Sequence, residues 1–225
     1  SCITIRSGTK AGLVMGANDP RLLDREKNEY LIQGENYIYY ELDISVFPAR
    51  VNIYRVGYHP DDRADIPFGT VSLGGLVTEQ NKNLPHSIKL EVTGNNIRLI
   101  FDGTEVDFRQ VNPLGGNDVV TFPHMCSIGY GVGEDSSAHF DGIRLNYLRA
   151  PSNQFYERDS LNGFELQGGE SRKFSLFKPD CHALPMLRRN FSVKKPVKKA
   201  RLYATSRGIY DCRINGSPVT DAYFA

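Results

Sequence analysis

Short runs in which apolar and polar side chains alternate, broken by glycine, asparagine, aspartate or proline, recur about every ten residues through residues 1–150. Successive strand side chains point to opposite faces, so such a run has one face to bury and one to expose. The 3.6-residue spacing of an amphipathic helix is nearly absent. The pattern restricts the chain to an all-β fold of sandwich or barrel type. The strands read from it are CITIR, AGLVMG, YIYYELDIS, RVNIYRVG, GTVSLGGL, SIKLEVTG, NIRLIFDG, TEVDFRQV, MCSIGYG and AHFDGIRLNYLR. Asn95-Asn96, Asp102-Gly103 and Asn215-Gly216 each predict a two-residue hairpin loop, because these residues tolerate the positive φ that matches the strand twist. One short helix is predicted after Asp19, which can cap free amides ahead of Pro20.

Alternation weakens across RAPSNQFYERDSLNGFELQGGESRK, where Pro151 and Gly168-Gly169 mark a connector. The expected organisation is one sandwich over 1–150, a connector over 151–183 carrying one or two strands such as RKFSLFK, and the first strands of a second sandwich over 184–225. A sheet stopping at Ala225 would leave an open edge of unpaired amides and carbonyls, so the chain is expected to be a fragment.

Composition narrows the partners. Lys and Arg number 27 and Asp and Glu 26, a net charge of +1 that gives no footprint for nucleic acid or an anionic membrane. The basic cluster VKKPVKKAR reads as a solvated strand end. No run approaches the roughly 18 apolar residues of a membrane-spanning helix. Cys2, Cys126, Cys181 and Cys212 lack the short paired spacing of a zinc site, leaving free thiols and one disulfide both open. His59, His86, His124, His139 and His182 show no ligand spacing, and no Gly-x-Ser-x-Gly elbow occurs.

Leu187, Arg188 and Phe191, then Ala200-Arg201-Leu202-Tyr203, Gly208, Tyr210, Asn215-Gly216, Val219 and Asp221, form a pattern over about forty residues. That pattern resembles the amino-terminal β-sandwich module of bacterial α-L-rhamnosidases of glycoside hydrolase family 78. The resemblance implies a parent polypeptide that removes terminal rhamnose with carboxylates on a distant (α/α)6 barrel, and a periplasmic or secreted location. Leu202, Tyr203, Ile209 and Ile214 are also explained as core or cross-strand packing. Residues 1–150 are similar to a concanavalin A-like, laminin-G-like jelly roll on the strength of AGLVMGANDP, IKLEVTGNNIRLIFDGTEV and SIGYGV…AHFDGIRL. The implied role of the chain is that of a non-catalytic accessory, structural or carbohydrate-binding, whose partners are a glycan and the remainder of its parent polypeptide. An independent lectin-like module is the alternative.

Laminarinase-like hydrolases of family 16 share the jelly roll and set Glu-x-Asp-x-Glu along one strand, so that three side chains enter one cleft. In YYELDIS, Glu41 and Asp43 fill the first two places and Ser45 the third, and a hydroxyl cannot serve as the general acid. Hydrolysis would need another carboxyl about 5 to 5.5 Å from Glu41. Otherwise the strand packs Tyr40, Leu42, Ile44 and Val46 inward and leaves Glu41 and Asp43 solvated. For sugar stacking the chain has no Trp, so Tyr39, Tyr54 and Tyr130 join Glu41 and Asp43 as candidate substrate contacts. No organic cofactor is implied. Asp61, Asp62, Glu134 and Asp135 offer oxygen ligands on loops for a Ca2+ ion, the alternative being solvated acidic loops.

Overall fold

The computed structural model describes residues 1–18, 35–93, 96–114, 126–146, 155–158, 165–167, 172–178, 192, 196–197, 213–215 and 217–218. The chain divides into two compact units, Ser1–Met186 and Leu187–Ala225. Both are built of antiparallel strands where described, and the only helical element among those residues is the 3-10 turn Arg109–Val111.

The first unit is a β-sandwich. Its smaller sheet has the order β10-β1-β6-β7-β8, with β1 at Cys2–Ser7, β6 at His86–Thr93, β7 at Asn96–Phe101, β8 at Thr104–Val106 and β10 at Ser137–Asp141. Its larger sheet has the order β13-β14-β9-β2-β3-β4-β5. Here β2 is Lys10–Ala17, β3 Tyr37–Asp43, β4 Arg50–Val56, β5 Gly69–Ser72, β9 Ser127–Gly133, β13 Glu165–Gln167 and β14 Arg172–Phe177. Strands β11, Ile143–Asn146, and β12, Phe155–Arg158, form a separate pair.

The alternation read from sequence places the core. Ile3, Ile5, Ile88, Leu99 and Phe101 of the smaller sheet meet Leu13, Ile38, Tyr40, Leu42, Val51 and Ile53 of the larger one in a single buried cluster. Each large aliphatic buried there contributes about 1.5–3 kcal/mol. The Asp102-Gly103 loop forms as expected, with φ of 47° and 77° between the paired Phe101 and Thr104. At the preceding hairpin Thr93 pairs with Asn96, so Asn96 opens β7 instead of standing in the loop. TEVDFRQV is strand only to Val106 and then winds into the 3-10 turn. AHFDGIRLNYLR is broken at Gly142, whose φ of 56° ends β10 and starts β11.

One difference matters for the site. RKFSLFK, read from sequence as part of the connector, is β14 and pairs with β9 along its whole length, from Arg172 opposite Gly133 to Phe177 opposite Ile128. The larger sheet therefore draws on residues well past 150, and the first unit runs to Met186. Pairing partners so distant in sequence leave no local signal.

In the second unit, β15 at Arg213–Ile214 and β16 at Ser217–Pro218 flank Asn215, whose φ is 50°, as that hairpin signal predicts. The helix expected after Asp19, most of the rhamnosidase-like segment, Cys181, Cys212, His124 and His182 lie outside the described residues. Cys2 is a free thiol and Cys126 is buried.

Candidate functional site

Strand β3 is buried on both faces. Its even-numbered side chains enter the core. Tyr37, Tyr39, Glu41 and Asp43 point to the outer face of the larger sheet, where Tyr39 stands opposite Tyr54, Glu41 opposite Asn52, and Asp43 opposite Arg50. Four of the five predicted substrate contacts thus share a face. Tyr130 does not: it alternates into the core and stacks on Phe140 with ring centroids 4.2 Å apart. The solvated polar face is also corrected. Glu41 is 1% and Asp43 0% exposed, whereas Val46, expected to pack inward, is 41% exposed beyond the strand end.

The outer face works because β9 and β2 are bare in its middle. Gly131 of β9 pairs with Gly12 of β2 on one side and with Phe174 on the other. Across this trough the rings of Phe174 and Tyr39 approach to 5.3 Å, and a Cβ on Gly131 would come within 2.6 Å of Tyr39 and 2.9 Å of Phe174. Gly131 is therefore a place where aromatic rings cross the sheet, while a Cβ on Gly133 would instead meet the Lys10 side chain at 2.8 Å. Val14, Tyr37, Tyr39, Tyr54, Val56, Phe174 and Leu176 form a second apolar cluster there.

Beside that cluster lies a charged one. Asp43 accepts from the Ser45 amide at 2.9 Å and its hydroxyl at 2.5 Å, from Arg50 Nε and Nη2 at 3.2 and 3.1 Å, and from Asn52 Nδ2 at 3.2 Å. The same Asn52 nitrogen donates to Glu41 Oε1 at 3.3 Å, so one amide bridges both carboxylates, and Thr70 holds the other end of Asn52 at 3.0 Å. Lys10 Nζ lies 3.8 Å from Glu41 Oε1 and Arg172 Nε 3.6 Å from Oε2. The Arg172 guanidinium also sits 3.6 Å above the Tyr54 ring, a cation–π contact. Three cations thus surround two carboxylates. Burial alone would raise the Asp43 carboxyl, but the hydrogen bonds from Ser45 and Arg50 and the charge of Lys10 hold it below its ordinary value. Burial, helped by Glu41, pushes the Tyr39 phenol well above its usual range. Burial opposes the charge on Arg172, yet Glu41 together with Tyr37 and Tyr54 keeps its guanidinium raised.

The arrangement gathers charge, and the contacts on Asp43 favour its ionised form. A general acid needs a carboxyl that stays protonated near neutrality, and Asp43 is driven the other way. Arg172, Asn52, Lys10 and Arg50 were not nominated from sequence. The first sits on a strand whose register no local pattern reveals, and the other three read as ordinary strand-end polarity.

The calcium candidates fall on two loops, Asp61 and Asp62 between β4 and β5, Glu134 and Asp135 at the β9–β10 turn. Asp62 is spent internally: its carboxylate accepts from Arg55 Nε at 2.7 Å and from the Tyr58 and His59 amides at 2.8 Å each. Both of its oxygens thus already accept from protein donors. Glu134 and Asp135 lie exposed in the turn closed by the Ser136 amide on the Gly133 carbonyl at 3.1 Å. Among the described residues no three His, Cys, Asp or Glu side chains are grouped to hold a metal ion.

Asp62 instead fixes the loop from Gly57 to Phe68 at one end of β4. Arg55, anchored by Asp62, donates to the Pro113 carbonyl at 3.0 Å and lies 4.3 Å from the Phe68 ring centroid. Around them opens a cleft of about 330 Å³ lined by Arg55, His59, Asp61, Arg63, Ile66 and Phe68 among others. Comparison with protein families, curated proteins and solved structures found no match to this chain.

Proposed function

We propose that this chain is a non-catalytic accessory part of a glycan-degrading polypeptide of the α-L-rhamnosidase type, and that its jelly-roll-like sandwich holds carbohydrate without cleaving it. The rhamnosidase attribution rests on the resemblance between Leu187 and Asp221. The non-catalytic reading rests on one observation: the paired carboxylates Glu41 and Asp43 are buried and shared among Lys10, Arg50, Asn52 and Arg172. Neither is placed to give a proton to a leaving sugar oxygen.

Incubation of the chain with 4-nitrophenyl α-L-rhamnopyranoside and with laminarin tests it. The expected result is no sugar release above buffer. Release that disappears in Glu41→Gln or Asp43→Asn, each still folded, would overturn the reading.

A further inference from the structure

We propose that the cleft between β4 and the loop Gly57–Phe68 is a saccharide-binding site that takes a neutral pyranoside, ring face on Phe68. The inference rests on the carbohydrate-binding reading above and gives it a place. Phe68 is 43% and Ile66 54% exposed, two large apolar side chains presented to solvent beside charged neighbours. Arg55 lies against the Phe68 ring, and because Arg55 is itself 7% exposed and tied to Asp62 and Pro113, that ring rests on a fixed support. A preorganised aromatic surface loses little entropy when a ligand stacks on it.

The rim sets the ligand class. Arg63 is paired with Asp65 at 3.1 Å, Arg55 with Asp62 at 2.7 Å, and His59 Nδ1 lies 3.5 Å from the Asp61 carboxylate, which is 91% exposed. The rim therefore carries donors and acceptors of both kinds with no excess of one charge. A phosphate or carboxylate ligand meets no surplus cation, and a wholly apolar one would strip water from Asp61 and Arg63 without replacing it. A pyranose has a C–H face to set on an aromatic ring and hydroxyls on its edge for a carboxylate and a guanidinium. The cleft is open to solvent, and its volume of about 330 Å³ falls at the small end of ligand pockets, the size of one or two sugar rings.

The test uses the whole 225-residue chain, screened on a glycan array and then titrated in ¹H–¹⁵N NMR with the best array saccharide, with methyl α-L-rhamnopyranoside and, as a flat non-sugar probe, adenosine. The expected result is saccharide-dependent shifts at the amides of residues 58–68, affinity weakened about tenfold or more in Phe68→Ala, and substantial recovery in Phe68→Tyr. Phe68 and Asp61 are both exposed enough for their variants to fold, which an unchanged spectrum elsewhere verifies. Saccharide binding that ignores Phe68→Ala and Asp61→Asn, or shifts centred on β3 and β4, would overturn the site and leave the carbohydrate-binding reading standing. No saccharide bound at all, or adenosine bound in its place, would overturn both.

Discussion

Replacing Arg172 with Met probes whether β14 is held to the outer face of the sandwich by charge as well as by pairing. Met keeps most of the stem that covers Tyr39 and Tyr54 and removes the guanidinium. Glu41, 1% exposed, then keeps Lys10 as its one cation among the described residues, 38% exposed at its side chain and 3.8 Å away, so the remaining attraction is partly screened. Breaking one partner out of a buried ion pair costs about 3–5 kcal/mol. Asn52 continues to donate to Glu41 and offsets part of that, while the lost cation–π contact at 3.6 Å adds about 1–2 kcal/mol. The expected loss is about 3 kcal/mol, or about 6–12 °C in Tm for a unit of this size. Urea unfolding followed by far-UV circular dichroism measures it. The double variant Arg172→Met, Glu41→Gln is expected to recover about 1–2 kcal/mol, because no unpaired charge then remains buried. A loss below about 1 kcal/mol in the single variant, or a double variant whose loss equals the sum of the singles, would refute the coupling.

Asp43 gives a pH dependence. Its folded carboxyl titrates below the unfolded value, so it contributes stability above the unfolded carboxylate range that is lost as pH falls through the lower folded value. Wild-type unfolding midpoints should therefore fall between about pH 5 and pH 2, and Asp43→Asn, less stable at pH 7, should show a flatter profile over that window. Asp62→Ala is expected to cost about 3–5 kcal/mol, since it strands the buried Arg55 and frees two amides of the loop, and hydrogen exchange at Tyr58 and His59 should speed up by orders of magnitude. Unchanged exchange there would mean that the loop is held by other contacts.

The strands from Cys2 to Asp141 were legible because each needs only its own alternation and a turn residue such as Asp102 or Gly103 to declare itself. The outer face was not. Alternation assigns Glu41 and Asp43 to a face but says nothing of what covers it, and a charged residue on a strand is ordinarily read as solvated. Its burial depends on Arg172 arriving on β14, and a strand's neighbours are set by register across the whole sheet. The glycines of SIGYGVG carry a partial signal: alternate glycines on one face of a strand leave room for neighbouring groups, and at Gly131 those are the rings of Tyr39 and Phe174. Phe68 was hidden for the opposite reason. It lies in a loop with no period, and only its exposure beside Arg55 distinguishes it from a core aromatic.

The two regions divide the chemistry that the sequence had gathered at β3. Carboxylates at alternate strand positions can work as an acid–base pair only if their environments push their proton affinities apart, one held neutral and one charged. Asp43 accepts from Ser45, Arg50 and Asn52, donors that favour its ionised form, and Ser45 does so from the position where a family-16 strand would carry its third carboxylate. Glu41 shares the same amide and faces two more cations. An exposed aromatic with polar groups at its rim has the contrary character, since its hydrogen-bonding groups still face water and can exchange that water for a ligand. The proposed recognition site accordingly lies where the loop leaves β4, and the carboxylates of β3 sit in contacts that join β2, β3, β4 and β14.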